Sequence, residues 1–230
     1  MISNIASQSA APKSFRYKAL LWDIDGTLIN TTQLILAALD HTYRTFLNRT
    51  LPDEQIRGII GIPLAEQIRV FGEPNDFGVS PEAMISEFIQ FYEANGHMEQ
   101  IIAGAVECLI SVKRRGVPTA LVTSKNLKEI GNTLPRLGIM GFVDAIVSAD
   151  DVSRPKPDPE SVVLALFKLD AAPRDALFIG DTVHDMRAGA SAGVKRCAVT
   201  WGAATRDKLL LESPEFICDD PADLHAVLGI

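Results

Sequence analysis

No stretch of the 230-residue chain approaches the roughly 18 consecutive apolar residues that a membrane-spanning helix needs, so no membrane partner is expected. Cysteine is scarce. Cys108, Cys197 and Cys218 are odd in number, lie far apart and form no CxxC pair, which excludes a disulfide framework or a zinc finger. They read as buried thiols in a reducing compartment. Positive charge is in deficit, 22 Lys plus Arg against 29 Asp plus Glu, a net charge of −7. That balance excludes a nucleic-acid backbone as the main partner, because phosphate-backbone binding draws on clustered Lys and Arg. Met1 to Phe15 lacks both the basic start and the apolar stretch of a secretory signal. It predicts a frayed tail over residues 1–16 of a cytoplasmic protein. Internal repeats and low-complexity segments are also missing.

What is present is a globular composition, 47% hydrophobic and 22% charged, in a length that suits one core with an insertion. Ala19–Ile24 is a near-continuous apolar run that ends in acids, as a strand buried on both faces would. Pro118–Val122, Ala145–Val147, Ala176–Ile179 and Val194–Val199 repeat the pattern, and helical stretches near 105–115, 126–137, 159–169 and 182–192 alternate with them. Strand followed by helix, several times over, predicts an α/β fold with a doubly wound parallel sheet and a Rossmann-like core.

One region breaks the alternation. From Thr31 to Gln100 the periodicity is helical throughout: Ile35, Leu39, Tyr43 and Phe46, then Met84, Phe88 and Phe91–Tyr92. Pro52, Gly58, Gly61, Pro63, Gly72, Pro74, Gly78 and Pro81 cut it into short helices, with Phe71, Phe77, Phe88 and Phe91 as its core. The expected organisation is a core of residues 17–30 and 101–230 with a helical cap over 31–100. An insertion directly after the first strand sits above that strand's C-terminal end, where open α/β sheets bind ligands.

Four segments at strand ends carry the chemistry. In Asp23-Ile24-Asp25-Gly26-Thr27-Leu28 the two acids are two residues apart on one strand and face the same side. Carboxylates that close repel unless a cation intervenes, and an all-oxygen site of this size suits Mg²⁺. A second acidic set, Asp181 and Asp185, follows the apolar run Phe178-Ile179-Gly180; Asp181 could alternatively cap the next helix. Leu121-Val122-Thr123-Ser124-Lys125 places hydroxyls and backbone N–H groups before a helix, a cradle for phosphate oxygens, though Thr123 alone could be a cap. Arg154-Pro155-Lys156-Pro157-Asp158-Pro159 holds Lys156 between prolines; taken alone it could be a solvated loop lysine.

In that order, DIDGT, VTSK, the RPKPDP lysine and GDTVHD resemble the four motifs of the haloacid dehalogenase-like hydrolase superfamily, over roughly Lys18 to Leu228. Gly61-Ile62-Pro63-Leu64 and Thr200-Trp201-Gly202 are most similar to its phosphoglycolate phosphatase branch. The resemblance implies Asp23 as a nucleophile that forms an aspartyl-phosphate, and Asp25 as the acid and base. It implies Mg²⁺ on Asp23, the Asp25 backbone carbonyl and Asp181, with Thr27 and Asp185 in support. Thr123, Ser124 and Lys156 would hold the phosphoryl group of a small phosphorylated metabolite.

The same resemblance separates the branches. Asp25 is superfluous to a dehalogenase. A Schiff-base hydrolase needs a cap lysine, and none occurs between Thr31 and Val112. Gly180 replaces the acid that a phosphomutase carries before Asp181. The resemblance of Gly61-Ile62-Pro63-Leu64 and Thr200-Trp201-Gly202 to that branch implies phosphoglycolate as the leading substrate. An inorganic pyrophosphatase, a phosphosugar phosphatase or phosphomutase of the same superfamily, and a non-catalytic phosphate- or protein-binding module are the alternatives. Substrate choice falls to the cap, whose cations are Arg44, Arg49, Arg57 and Arg69; Arg69 could clamp a substrate carboxylate, but a solvated helix face is the favoured reading for each of the four. His184 is expected beside the site without a direct part in it.

Overall fold

A computed structural model describes residues 15–70 and 78–230. Six strands form one parallel sheet: β1 (Ala19–Trp22), β4 (Thr119–Val122), β5 (Ala145–Val147), β6 (Ala176–Gly180), β7 (Lys195–Val199) and β8 (Phe216–Cys218). Their spatial order is β5-β4-β1-β6-β7-β8, so the strand order reverses beside β1, at the centre. β1 registers Leu21 against Ala120 of β4 and against Phe178 of β6.

The continuous apolar runs follow from burial on two sides. Leu20 and Trp22 of β1, with Leu177 and Ile179 of β6, face a core shared with Leu109 of α5 (Ala103–Arg114), Leu134 of α6 (Leu127–Leu137) and Leu224 of α10 (Pro221–Leu228). Ala19, Leu21 and Phe178 face the opposite layer, built from α7 (Glu160–Lys168) and α8 (Val183–Ala192). With both faces covered there is no polar alternation along the strands. Each fully buried side chain such as Leu20 or Phe178 contributes about 1.5–3 kcal/mol. Cys108, Cys197 and Cys218 are buried and free, and the Cys197 and Cys218 thiols share a hydrogen bond at 3.4 Å without forming a disulfide.

The described residues between Thr31 and Glu99 carry four α-helices: α1 (Thr32–Leu47), α2 (Asp53–Arg57), α3 (Leu64–Val70) and α4 (Pro81–Ala94). They enclose an apolar centre of their own, with Leu39, Tyr43, Ile68, Met84 and Phe88. The sequence showed no strand at its borders, yet β2 (Ile29–Asn30) pairs antiparallel with β3 (Gln100–Ile101) at the neck of the insertion. Each strand has two residues, too few for any periodicity to register. β8 and the short helix α9 (Arg206–Leu211) also extend the expected core. Phe71, Phe77, Gly72 and Pro74, and residues 1–14 of the expected tail, lie outside the described residues. Phe15 packs on the core beside Tyr17, and the Arg16 guanidinium stands over the rings of Tyr17 and Phe216. No helix among the described residues is long and apolar enough to cross a membrane.

Candidate active site

The C-terminal ends of β1, β4 and β6 converge beneath the insertion. Asp23 follows β1 directly, and its N–H donates to the Ile179 carbonyl at 2.9 Å, continuing the ladder with β6. Asp181 follows β6, and Asp185 lies in the first turn of α8. Carboxylate oxygens of Asp23, Asp181 and Asp185 all lie within 4.8 Å of one another. Three acids at that range, each buried, repel strongly unless cations intervene.

One cation is Lys156. Its Nζ donates to Asp23 Oδ1 at 2.7 Å, Asp185 Oδ1 at 2.6 Å and the Val122 carbonyl at 3.3 Å. At 2% exposure it is no solvated loop lysine. Burial works against its charge, but Asp185 and Asp23 outweigh that and hold its pKa above the usual lysine value. The carboxylates remain under-compensated. Burial pushes Asp23 up to about 7 despite Lys156, with Asp185 and Asp25 adding to the rise. Burial also raises Asp181 well above the ordinary range, reinforced by Asp23 and Asp185. A cluster of oxygen ligands in this state fits a hard divalent cation.

Asp181 is held from two sides. Thr27 Oγ1 donates to Oδ1 at 3.3 Å, and the Ala203 N–H to Oδ2 at 2.6 Å. Gly26, at φ +79°, and Gly202 both press against this carboxylate, and a Cβ on either would overlap it. Helix capping falls to Thr182 instead of Asp181. The Asp185 N–H donates to Thr182 Oγ1 at 3.1 Å, while Asp185 Oδ2 accepts from the Thr182 N–H at 3.0 Å and its hydroxyl at 2.6 Å. Asp185 thus uses one oxygen for its helix and the other for Lys156.

Asp25 has a different partner from Asp23. Lys125 Nζ lies 3.1 Å from Asp25 Oδ1 and 5.2 Å from the centre of the Tyr92 ring. Lys125 belongs to the VTSK segment, in which the sequence alone assigns it no role. Its place at a strand end was the available signal; its pairing across the sheet was not legible. Tyr92 in turn donates to the buried Glu99 carboxylate, which also pairs with Arg136 of α6. Thr123 is buried, its hydroxyl accepting from the Lys125 N–H at 3.1 Å. Ser124 Oγ donates to the Gly61 carbonyl at 2.6 Å, so this side chain meets the insertion directly.

Between core and insertion lies a cavity of ≈ 60 Å³ lined by Asp23, Asp25, Thr123, Ser124 and Lys125 below, and by Ile60, Leu64, Gln67 and Phe88 above. At about 10–15 Å³ per water it holds about four to six water positions, room for a small ligand. Arg69 is exposed and not among the lining residues, on a solvated helix face near Glu82, so it makes no carboxylate clamp here. Arg44 is exposed and paired with Asp40, while Arg57 reaches the Ala203 carbonyl at 3.4 Å. His184 Nε2 approaches the Gly58 carbonyl at 3.4 Å, and burial lowers its pKa. It stands at the seam, outside the cavity lining.

A parallel sheet that gathers buried acids and a lysine at its switch point, beneath a helical insertion, has the construction of an enzyme. The haloacid dehalogenase-like hydrolase family matches residues 20–199, and the chain belongs to it. Pyrophosphatase PpaX of Bacillus velezensis is 33% identical over 220 residues, covering 94% of this chain and 98% of that protein. A hydrolase from Pseudomonas syringae shares the fold at TM-score 0.81 and 24% identity, over 93% and 98% of the two chains. A predicted phosphoglycolate phosphatase from Haemophilus somnus superposes at TM-score 0.80 and 21% identity, over 93% and 99%.

Proposed function

We propose that the chain is a Mg²⁺-dependent phosphatase that hydrolyses a small phosphorylated metabolite through an aspartyl-phosphate. The observation that carries this reading is the buried trio Asp23, Asp181 and Asp185 joined to Lys156. Asp23 attacks phosphorus, the bond to the leaving oxygen breaks, and Asp25 gives that oxygen a proton. Asp25 then takes a proton from the water that attacks the acyl phosphate, which releases phosphate and restores Asp23. An effective nucleophile must be ionised, and Lys156 favours that form of Asp23. Thr123, Ser124 and Lys156 hold the phosphoryl oxygens as charge shifts among them.

Asp23, Asp181 and the Asp25 backbone carbonyl, with Asp185 and Thr27 in support, would hold Mg²⁺, which supplies charge neutralisation and Lewis-acid polarisation when bound. Residues 31–100 act as the cap, residues 17–30 and 101–230 as the catalytic core. The Ser124–Gly61 bond and the Tyr92–Lys125 contact join the two.

Arg69 does not line the cavity and offers no carboxylate clamp there, so the phosphoglycolate reading rests on the branch resemblance alone. Kinship to a pyrophosphatase over nearly the full length favours pyrophosphate as a second reading. The test is phosphate release with and without Mg²⁺ from p-nitrophenyl phosphate, phosphoglycolate, pyrophosphate and sugar phosphates. Release that requires Mg²⁺ is expected. Mg²⁺-independent release, or none from any member, overturns the reading.

A further inference from the structure

The side of the cavity formed by the insertion holds an acceptor without a donor. Gln67 of α3 lines the cavity and is 7% exposed. Its Nε2 donates to the Ile62 carbonyl at 2.8 Å. That bond sets the orientation of the amide, because a carbonyl can only accept. Oε1 is left buried with no partner in the protein. The position is rigid: the Tyr43 hydroxyl lies 3.0 Å from the carbonyl oxygens of both Gln67 and Ile68. A buried acceptor held this way is costly until a donor arrives.

The surroundings say which donor fits. Ile62, Leu64 and Phe88 make the adjoining wall apolar, and Glu129 of α6 adds a further acceptor. Burial raises the Glu129 pKa, a sign that another anion would be unwelcome there. Lys125 is the one cation among the described residues that line the cavity, and Asp25 occupies it. Against Gln67 Oε1, Glu129 and this apolar wall an ionised carboxylate would face lone pairs and hydrocarbon.

We infer that Gln67 is the specificity-determining residue of the cleft, its Oε1 accepting a hydrogen bond from an O–H on the leaving group. This rests on the phosphatase reading above. The O–H comes either from a hydroxylated alcohol or from a protonated phosphate oxygen of pyrophosphate; an ionised glycolate does not supply it.

The test compares kcat/KM for 2-hydroxyethyl phosphate, ethyl phosphate, phosphoglycolate and pyrophosphate in the wild type and in Gln67→Met, with p-nitrophenyl phosphate as a reference for intact chemistry. A preference of about ten- to a hundredfold for 2-hydroxyethyl over ethyl phosphate, the factor an unmet buried acceptor imposes, is expected. It should fall toward one in Gln67→Met. Pyrophosphate ahead of 2-hydroxyethyl phosphate, with that lead lost in the variant, also supports the inference and assigns the donor to a phosphate oxygen. Phosphoglycolate ahead of both, a wild-type ratio near one, or ratios unchanged in the variant overturn the inference and leave the phosphatase reading standing. Because each ratio is taken within one protein, general damage to the variant cancels. No release from any substrate, p-nitrophenyl phosphate included, overturns both.

Discussion

Lys125 Nζ stands 3.1 Å from Asp25 Oδ1, while a different lysine, Lys156, binds Asp23. The two acids of the first motif are thereby given separate cations from separate loops. Replacing either lysine therefore disturbs one of these two carboxylates and leaves the other's partner in place.

Asp23→Asn should lower phosphate release by at least about 10³-fold, since the amide is a poor nucleophile of similar shape. The fold should persist, because the substitution removes a buried charge that burial already disfavours. Phosphate release and the circular dichroism spectrum check this; activity near the wild-type level would remove Asp23 from its role.

Asp25→Asn should slow alkyl phosphates far more than p-nitrophenyl phosphate, whose leaving group departs without a proton. An equal loss for both would remove Asp25 as the acid.

Lys156→Met leaves Asp23 and Asp185 buried without their ammonium. Removing one partner of a buried pair costs about 3–5 kcal/mol, so thermal unfolding without divalent ions should shift well down. Mg²⁺ should recover part of the shift, because a cation answers the same charges.

The pH dependence follows from Asp23, whose pKa of about 7 in the fold lies above the ordinary 3.8. Between those values the folded state holds a proton that the unfolded state has lost. Asp23 therefore contributes less to stability as pH rises from about 4 through about 7. The difference in Tm between wild type and Asp23→Asn, without Mg²⁺, should move against the wild type over that window. Mg²⁺ binding must displace the proton, so its affinity should rise over the same range, with proton release visible by calorimetry in two buffers. A flat difference and a flat affinity would contradict the shift.

Gly202→Ala should cost at least about 10²-fold in turnover, because the new methyl would overlap the Asp181 carboxylate and push it from the cluster. The comparison is Gly193→Ala, a strained helix end whose new methyl approaches only Pro173, at 3.8 Å; it should reduce stability and spare activity.

Much of this was legible along the chain because it is local. Five of the six sheet strands announce themselves as apolar runs, since both faces are buried. The acids and Lys156 sit where those runs stop. What stayed hidden is pairing between distant segments. Nothing near Lys125 in sequence points to Asp25, and nothing near Glu99 points to Arg136. Gln67 looked like any polar residue on a short helix. Only the tertiary fold leaves its oxygen without a partner. β8, three residues at the sheet's edge, was not marked as a strand by its sequence.

The divided carboxylate of Asp185 makes the start of α8 and the charge balance of the cluster one physical event. If the first turn frays, Oδ2 loses the Thr182 N–H and hydroxyl, and the oxygen that steadies Lys156 drifts with it. Solvent exchange at a single backbone amide, that of Thr182, would then count the moments at which the enzyme is folded but electrically disarmed.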